Sequence, residues 1–570
     1  MAKFTTSPGV AINEIDQTFL TGQPIQAGAA IIGPTVKGPV EQPTLVTSYS
    51  DFTSKFGDTF VSGGSTHTYL TSIAAFNYFN YGGESLIVAR VTSGSYTSAT
   101  ASISGSDGSG SFTLETISEG TPINNRGGLA QTNELLLSGS RDNVRWEVTN
   151  SNTTLGTFSL LIRQGNDVGN NKIILEQFNN LSLDPNQPNY ISKVIGDQKL
   201  SYESTTNQME ITGNYVNSSR YVRIKEVHTP IFNYLDANGL PKDGGVFTGS
   251  LPGNGTGLHT GSFTGALGNV SSSINLYQHI GIETQGLVGT DYDNMISLLG
   301  NREAYSYNLL FTPGLTNDLH TTQCTNIITN TINRGDSLFV LDLEDYSGTQ
   351  VNAITQAQSR DTSYVASYWP WVRIVDPGTG KHVWVPASTM IPGVYAFNDK
   401  VAAPWFAPAG INRGGLSTVL QAKIKLTQGN RDDLYNNNIN PIATFPNQGV
   451  VVFGQKTLQK ANSALDRVNV RRLMIELKNF IRQIADTIVF EQNTQQTRVS
   501  FKSRVNPYLE SIQLKQGLFA YKIIMDETNN GPAVIDQNQL VGQIYIQPTR
   551  TSEFISLDFI LQPTGAEFPS

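Results

Sequence analysis

The chain has little of what anchors or cross-links many secreted and membrane proteins. Its 570 residues include one cysteine, Cys324, which excludes internal disulfides and zinc sites built from several cysteines. No stretch approaches 18 consecutive apolar residues, so we expect no membrane-spanning helix. The first residues lack the apolar core of a secretory signal peptide, and we therefore expect the protein to fold in a cytoplasm.

Charged residues are also scarce, at 15% of the chain, and their balance is acidic. The net charge of −8 disfavours a dedicated nucleic-acid-binding protein. Apolar residues make up 38% and there are 53 glycines, a composition typical of a globular, turn-rich, β-leaning protein. Because a single core stops growing beyond roughly 250–300 residues, we expect several domains.

Motifs for catalysis and cofactor binding are missing or incomplete. The segment 33–37 (GPTVK) lacks the second glycine and the final Ser/Thr of a phosphate-binding loop, and the six histidines are scattered. We therefore expect no catalytic, cofactor-binding or metal-binding residues. One alternative is a hydrolase that uses Asp342, Glu344 and Asp345, which follow a predicted buried strand; a solvated loop is the simpler interpretation.

Four regions are predicted along the chain. Residues 21–91 and 291–435 alternate apolar strand patterns with amphipathic helix patterns and are predicted to form one α/β core. Residues 92–290 are rich in Gly, Ser and Thr and are predicted to form one or two inserted β-rich surface domains. Residues 1–20 are predicted to form an extended arm, too short for its own core, that joins the C-terminal domain of its own chain or of a neighbouring subunit.

The last region, residues 436–570, combines a helix with strands in an α+β domain. Apolar residues spaced by three or four predict a helix buried along one face; they are Leu473, Leu477, Phe480, Ile484 and Ile488. Two strand-like segments, 543–547 and 553–561, close the chain, and the turn residues Pro548 and Thr549 lie between them.

Positive charge is concentrated in this same region. Residues 451–504 contain ten Lys and Arg against four acidic residues, a charge of +6, which leaves −14 (−8 less +6) for the rest of the chain. This asymmetry indicates a basic surface for an acidic partner; a solvated helix face with local ion pairs is an equally good interpretation. Nucleic acid is a less suitable partner because few aromatic residues are interspersed.

Several segments resemble the contractile tail sheath proteins of T4-type bacteriophages. The resemblance covers both ends and the centre of the chain and leaves out the glycine-rich insertion. It is carried by the C-terminal region and by SPGVAINEID (7–16), NNLSLDPNQPNYISKVIGDQ (179–198), SYWPWVRIVDPGTGKHVWVPASTMIPGVYAFND (367–399) and KVAAPWFAPAGINRGGL (400–416).

The resemblance implies a structural protein with a subtilisin-like α/β core that lacks proteolytic function. It implies a homo-oligomer, a helical stack of hexameric rings around a tail tube, with baseplate and tail terminator proteins as further partners. Such a sheath contracts to drive the tube through the host envelope, belongs to the virion and is assembled in the host cytoplasm. A sheath of a related injection system or bacteriocin is the alternative within this resemblance.

The resemblance also implies roles for particular residues. Strands of the two terminal arms would join sheets of neighbouring subunits through residues Val10, Ile12, Ile15, Ile544, Ile546, Phe554, Ile555 and Leu557. The C-terminal domain would line the inside of the sheath. The basic candidates for its contact with the tube are Lys456, Lys460, Arg467, Arg471, Arg472, Lys478 and Arg482.

Overall fold

An eight-stranded central sheet organises the structure, a computed structural model that describes residues 25–26, 28–125, 134–228, 234–235, 251–253, 260–269 and 275–554. Six inner strands run parallel, and one antiparallel strand lies at each edge. Across the sheet the strands are Gly449–Val452, Asn440–Phe445, Val365–Trp369, Leu338–Asp342, Leu309–Thr316, Ala29–Gly33, Leu86–Arg90 and Thr44–Val46.

Apolar residues cover both faces of this sheet. Along Ala29–Gly33, Ala29 and Ile31 join one buried cluster while Ala30 and Ile32 join the other, as the two-residue period of a strand requires. The predicted mixed α/β core is therefore confirmed. The first face is covered by helices Tyr49–Phe56, Leu70–Asn80 and Ile391–Val401, and the second by Asp293–Leu299, Thr321–Arg334, Gln350–Gln358 and Gln428–Asn436.

We call the central sheet and the helices that cover its two faces the central body. Smaller elements are attached to it. A three-stranded sheet is built from His382–Val385, Val372–Val375 and Val419–Ala422. Short strand pairs join Thr59–Ser62 to Ser65–Thr68, Ile25–Gln26 to Tyr305–Ser306, and Glu283–Thr284 to Leu287–Val288. The 3-10 turns are Thr121–Ile123, Tyr277–His279, Gly289–Tyr292, Ala387–Thr389 and Ala464–Asp466.

The glycine- and serine-rich region contains antiparallel sheets around a core of their own. Phe112 and Phe158 stack at its centre with ring centroids 5.6 Å apart. Helix Ile191–Ile195 packs against the same core. The sheets are formed by strands Ser98–Ser104, Gly110–Glu119 and Val222–Val227; by Thr260–Ser262, Val144–Asn152, Thr157–Gln164 and Ile174–Ser182; and by the hairpin Lys199–Glu203 with Gln208–Thr212.

Two long helices and a two-stranded sheet follow the central body. The helices are Val468–Asp486 and Gln495–Leu514, the strands are Leu518–Ile524 and Gln543–Pro548, and the short helix Pro532–Asp536 lies between the strands. The sequence shows a strand-like pattern over 517–528, after Pro507, and strand Leu518–Ile524 lies there. The second helix nevertheless continues through this proline. Val505, Leu509 and Ile512 are buried on both sides of it, and their packing offsets the lost backbone hydrogen bond.

The region boundaries differ from those expected. Strands Asn440–Phe445 and Gly449–Val452 belong to the central sheet, although the sequence assigns them to the C-terminal region. Ile280 and Leu287 pack against the central body, although the sequence assigns them to the insertion. Short apolar runs beside glycine-rich loops carry no signal of which core they join.

We predict that Phe158→Ala lowers the free energy of unfolding of the inserted sheets by about 3–5 kcal/mol, because it leaves a cavity beside Phe112. The matched control is Leu155→Ala, at a neighbouring side chain that is 51% exposed, where we expect a change within about 0.5 kcal/mol. Urea unfolding measures both. Equal losses in the two variants would contradict the packing described here.

Candidate assembly site

The two-stranded sheet near the end of the chain has open edges. Leu518–Ile524 and Gln543–Pro548 pair antiparallel, with Tyr521 opposite Ile546 and Ile523 opposite Ile544. In the described part of the chain, neither strand pairs with a third one. On strand Leu518–Ile524 the Phe519 carbonyl already accepts a 3.0 Å bond from the Gln513 side-chain amide. The outer edge of Gln543–Pro548 can therefore better bond an added strand through its backbone N–H and C=O groups.

The inner face of this sheet packs on the two long helices. The helical stripe predicted from the sequence is confirmed as far as Ile484: Leu473 and Leu477 are buried, and Ile484 packs against the same cluster. Ile488 also packs there but lies after the helix, which ends at Asp486. Phe480 stacks on Tyr508 of the second helix, with ring centroids 3.6 Å apart. The cluster gives the otherwise marginal two-stranded sheet a hydrophobic support.

A groove runs between strand Gln543–Pro548, helix Val468–Asp486 and the end of helix Thr321–Arg334. Its apolar lining includes Ile544 and Ile546, two of the predicted strand-exchange residues, while Lys478 and Arg482 add positive charge. Ile332, on the opposite wall, is 44% exposed. The groove therefore offers both apolar surface and positive charge beside an open strand edge.

The other predicted arm residues lie at or beyond the ends of the described chain. Phe554 lies beyond the last strand and is 83% exposed. Five predicted arm residues lie outside the described residues: Val10, Ile12, Ile15, Ile555 and Leu557.

The predicted basic surface is corrected at Arg471 and Arg472, which are only 4% and 5% exposed. Arg472 donates two hydrogen bonds to the Asp399 carboxylate of helix Ile391–Val401, one of them 2.8 Å long. Arg471 donates to the Ser363 hydroxyl, and its guanidinium lies 4.1 Å from the ring centre of Tyr364. Both arginines tie the first long helix to the central body and are unavailable to another protein.

The remaining basic candidates do not form one surface. Arg467 bonds Glu553 and Asp466, and Lys456 lies over the ring of Tyr435. Lys478 and Arg482 line the groove, and Lys460 is exposed. Part of the +6 charge of the segment is therefore paired with groups of the same chain, which counting charges in the sequence cannot detect.

Asp342, Glu344 and Asp345 have structural partners. Asp342 is buried and accepts hydrogen bonds from the Ser388 backbone N–H, at 3.0 Å, and from its hydroxyl. Glu344 accepts a 2.7 Å bond from the indole N–H of Trp369, and Asp345 accepts backbone N–H bonds in its own turn. Burial raises the pKa of both Asp342 and Glu344 to about 7.

Within the described residues, no group of three or more His, Cys, Asp and Glu side chains gathers as metal ligands. No helix among these residues combines the length and the hydropathy that crossing a membrane requires.

Comparisons with known proteins agree with this architecture. The phage tail sheath protein central domain matches residues 285–458, and the phage tail sheath C-terminal domain matches residues 460–562. The central-domain match therefore begins within the central body, and the C-terminal match covers the helices and the two-stranded sheet.

Individual relatives point the same way. The tail sheath protein of Vibrio phage KVP40 is 38% identical over 220 residues, which are 39% of this chain and 33% of that protein. The tail sheath protein of Enterobacteria phage T4 is 40% identical over 185 residues, 32% of this chain and 28% of that protein. The matched part thus spans about a third of the length of these relatives.

A solved structure shares the overall fold. The sheath tail protein from Listeria innocua superposes with a TM-score of 0.51 at 10% sequence identity, over 92% of this chain and 95% of that protein. The α/β central body and the helix-backed sheet at the C-terminal end therefore have the fold of a tail sheath protein. Residues 285–458 and 460–562 match the central and C-terminal domains of phage tail sheath proteins, and the relatives found in phages T4 and KVP40 carry the same name.

We predict that folding stability falls as the pH rises from about 4 to about 7, because folding raises the pKa of Asp342 from its ordinary 3.8 to about 7. The stabilisation is complete at a pH below 3.8, the pKa in the unfolded chain, and is lost as the pH rises through about 7, the pKa in the folded protein. Glu344 acts in the same direction. Asp342→Asn keeps an oxygen that accepts from the Ser388 backbone N–H, and its amide N–H can donate to the Ser388 hydroxyl, so it should flatten the curve.

Melting temperatures between about pH 4 and about pH 8 measure this effect. The exposed Glu303→Gln is the matched control and should leave the curve of the unchanged protein intact. An Asp342→Asn curve as steep as that of the control would contradict the buried carboxyl.

We predict that Asp399→Asn costs about 3–5 kcal/mol of unfolding free energy, because it leaves the buried Arg472 charge without its partner. Lys460→Gln removes an exposed charge and should change stability by no more than about 0.5 kcal/mol. Denaturant unfolding compares the two. A loss as small as that of Lys460→Gln would show that Arg472 does not depend on Asp399.

Proposed function

We propose that this chain is the structural subunit of a contractile phage tail sheath. It polymerises helically around a tail tube and contracts to drive the tube through the host envelope. The observation that carries this proposal is the open-edged strand Gln543–Pro548 beside a groove in a member of the sheath family. The role is mechanical, and no residue is assigned to catalysis.

Extended arms would link the subunits. An arm of one subunit adds to the open sheet of the next through backbone hydrogen bonds, which tolerate many sequences. In the N-terminal arm, Val10, Ile12 and Ile15 supply apolar side chains, and Glu14 and Asp16 supply negative charge. This composition suits the apolar and basic lining of the groove, where Lys478 and Arg482 lie. At the other end, Phe554, Ile555 and Leu557 would join a neighbour's sheet.

Contacts of this kind determine the form of the assembly. An arm that binds a different surface on its neighbour makes a heterologous contact, and such contacts continue into open helices unless their rotation closes a ring. We therefore propose hexameric rings stacked in a helix, with baseplate and tail terminator proteins at the ends. Lys460, exposed and without an ion pair in the described chain, is the remaining basic candidate for contact with the tube.

The regions would divide the work. We assign a subtilisin-like core without proteolytic function to residues 21–91 and 291–435, and an outer insertion to residues 92–290. The tube-facing domain is assigned to residues 436–570, except for the two strands Asn440–Phe445 and Gly449–Val452, which join the central sheet. The assembled protein would be part of the virion after assembly in the host cytoplasm. The support is the tail sheath C-terminal domain match and the separate core of the inserted sheets.

Contraction follows if the extended assembly is a kinetic trap above a more stable, wider one. Arms hydrogen-bonded to neighbouring sheets hold the subunits together while the rigid central bodies rotate. Exposed charges on the inner surface would hold the tube, and salt would weaken that contact within a Debye length of about 10 Å.

We predict that removing residues 1–16 abolishes tube formation while the subunit stays folded, because the arm contributes no core of its own. Negative-stain electron microscopy of the purified full chain should show long hollow tubes, and the truncated protein should show none. Circular dichroism and melting temperature should be the same for both.

Removal of residues 1–6 alone is the matched control, since it leaves the apolar and acidic arm residues in place, and its tubes should be normal. Normal tubes from the longer truncation would refute the arm model. A full chain that stays monomeric at all salt concentrations, even with tail tubes added, would refute the sheath assignment itself.

A further inference from the structure

The chain leaves the two-stranded sheet along a fixed path. After Gln543–Pro548, the backbone N–H of Thr549 donates a 3.2 Å bond to the carbonyl of Gly517, and its hydroxyl donates a 2.6 Å bond to the carbonyl of Gln516. The Thr551 hydroxyl then accepts a 3.2 Å bond from the side-chain amide of Asn469. These contacts therefore hold in place the segment that follows the turn residues Pro548 and Thr549.

The path ends at Glu553, whose carboxylate binds three donors from different parts of the protein. The Tyr435 hydroxyl, on helix Gln428–Asn436, donates a 2.6 Å bond to Oε2. The Gln455 amide, just after strand Gly449–Val452, donates a 2.9 Å bond to Oε1, and the Arg467 Nε donates one of 2.8 Å to the same oxygen. Two of these donors belong to the central body.

These contacts are shielded from water. The side chains of Glu553 and Arg467 are 17% and 25% exposed. Arg467 is held in turn by Asp466 at 3.0 Å, so its guanidinium is positioned between two carboxylates. Charge-assisted hydrogen bonds are shorter and stronger than neutral ones, and three of them on one carboxylate fix its position.

We propose that Glu553 is a latch that fastens the root of the C-terminal segment to the central body. The chain is then fixed to the central body as far as Glu553. If that segment is exchanged between subunits, as the proposed function requires, a pull on it reaches the central sheet through Tyr435 and Gln455. The pulling force then does not pass through the two-stranded sheet.

This route matters mechanically. A two-stranded sheet is only marginally stable alone, and a pull on the end of Gln543–Pro548 would peel it from its single partner. The central sheet has eight strands and an apolar cluster on each face, so it resists the same pull. The latch therefore protects the sheet edge that a neighbour's arm would occupy.

A spin label beyond the latch tests the proposal in the soluble full-length subunit. The native cysteine, Cys324, is buried, so Phe554→Cys provides a selectively reactive site. With Glu553 present, we expect a broad spectrum from a slowly moving label. Adding Glu553→Gln, or Arg467→Met in a second variant, should remove the slow component. Glu527→Gln, an exposed glutamate of the same region, should leave it unchanged.

Assembled tubes supply the second measurement. Glu553→Gln tubes should dissociate at a lower urea concentration than Glu527→Gln tubes. Identical spectra in all variants would overturn the latch, and a freed label with unchanged tube resistance would overturn its role in bearing load. Because the spectra are recorded before assembly, failure of the native chain to form tubes would refute the proposed function and leave the latch result standing.

Discussion

Unpaired backbone groups along a short sheet are the constraint on which the rest of this structure depends. Strands Leu518–Ile524 and Gln543–Pro548 have no third strand in the described chain, and a two-stranded sheet alone is marginal. Exposed edges of this kind promote pairing with other chains. Two long helices beneath the sheet support it without a third strand, so its edge is available for the proposed contact with a neighbouring subunit.

The surrounding contacts connect this sheet to a stiff central body. Arg472 and Asp399 join the first long helix to helix Ile391–Val401, and Arg471 packs over Tyr364. Glu553 returns the chain from the sheet to the central body. Residues that charge counting assigns to an external partner therefore serve the internal joint. In a contracting assembly, this joint would let each subunit turn as one body while its terminal segments change direction.

The sequence predicted the elements whose side chains repeat regularly. The helical stripe from Leu473 to Ile484 was predictable because burial on one face imposes a period of 3.6 residues. The continuous apolar strand near Leu338 was predictable because a parallel strand is buried on both faces. The continuation of a helix through Pro507 was not, since it depends on tertiary packing. Nor was the burial of Arg471 and Arg472, whose partners Ser363 and Asp399 lie far away in sequence. The open edge itself is visible only in the sheet pairing.

The most direct test is electron cryo-microscopy of tubes assembled from the full chain, at a resolution that traces strands. The account predicts a strand from a neighbouring subunit hydrogen-bonded to the open edge of Gln543–Pro548, with its acidic residues near Lys478 and Arg482. An edge left unpaired in the assembled tube, or covered by the subunit's own chain, would contradict it.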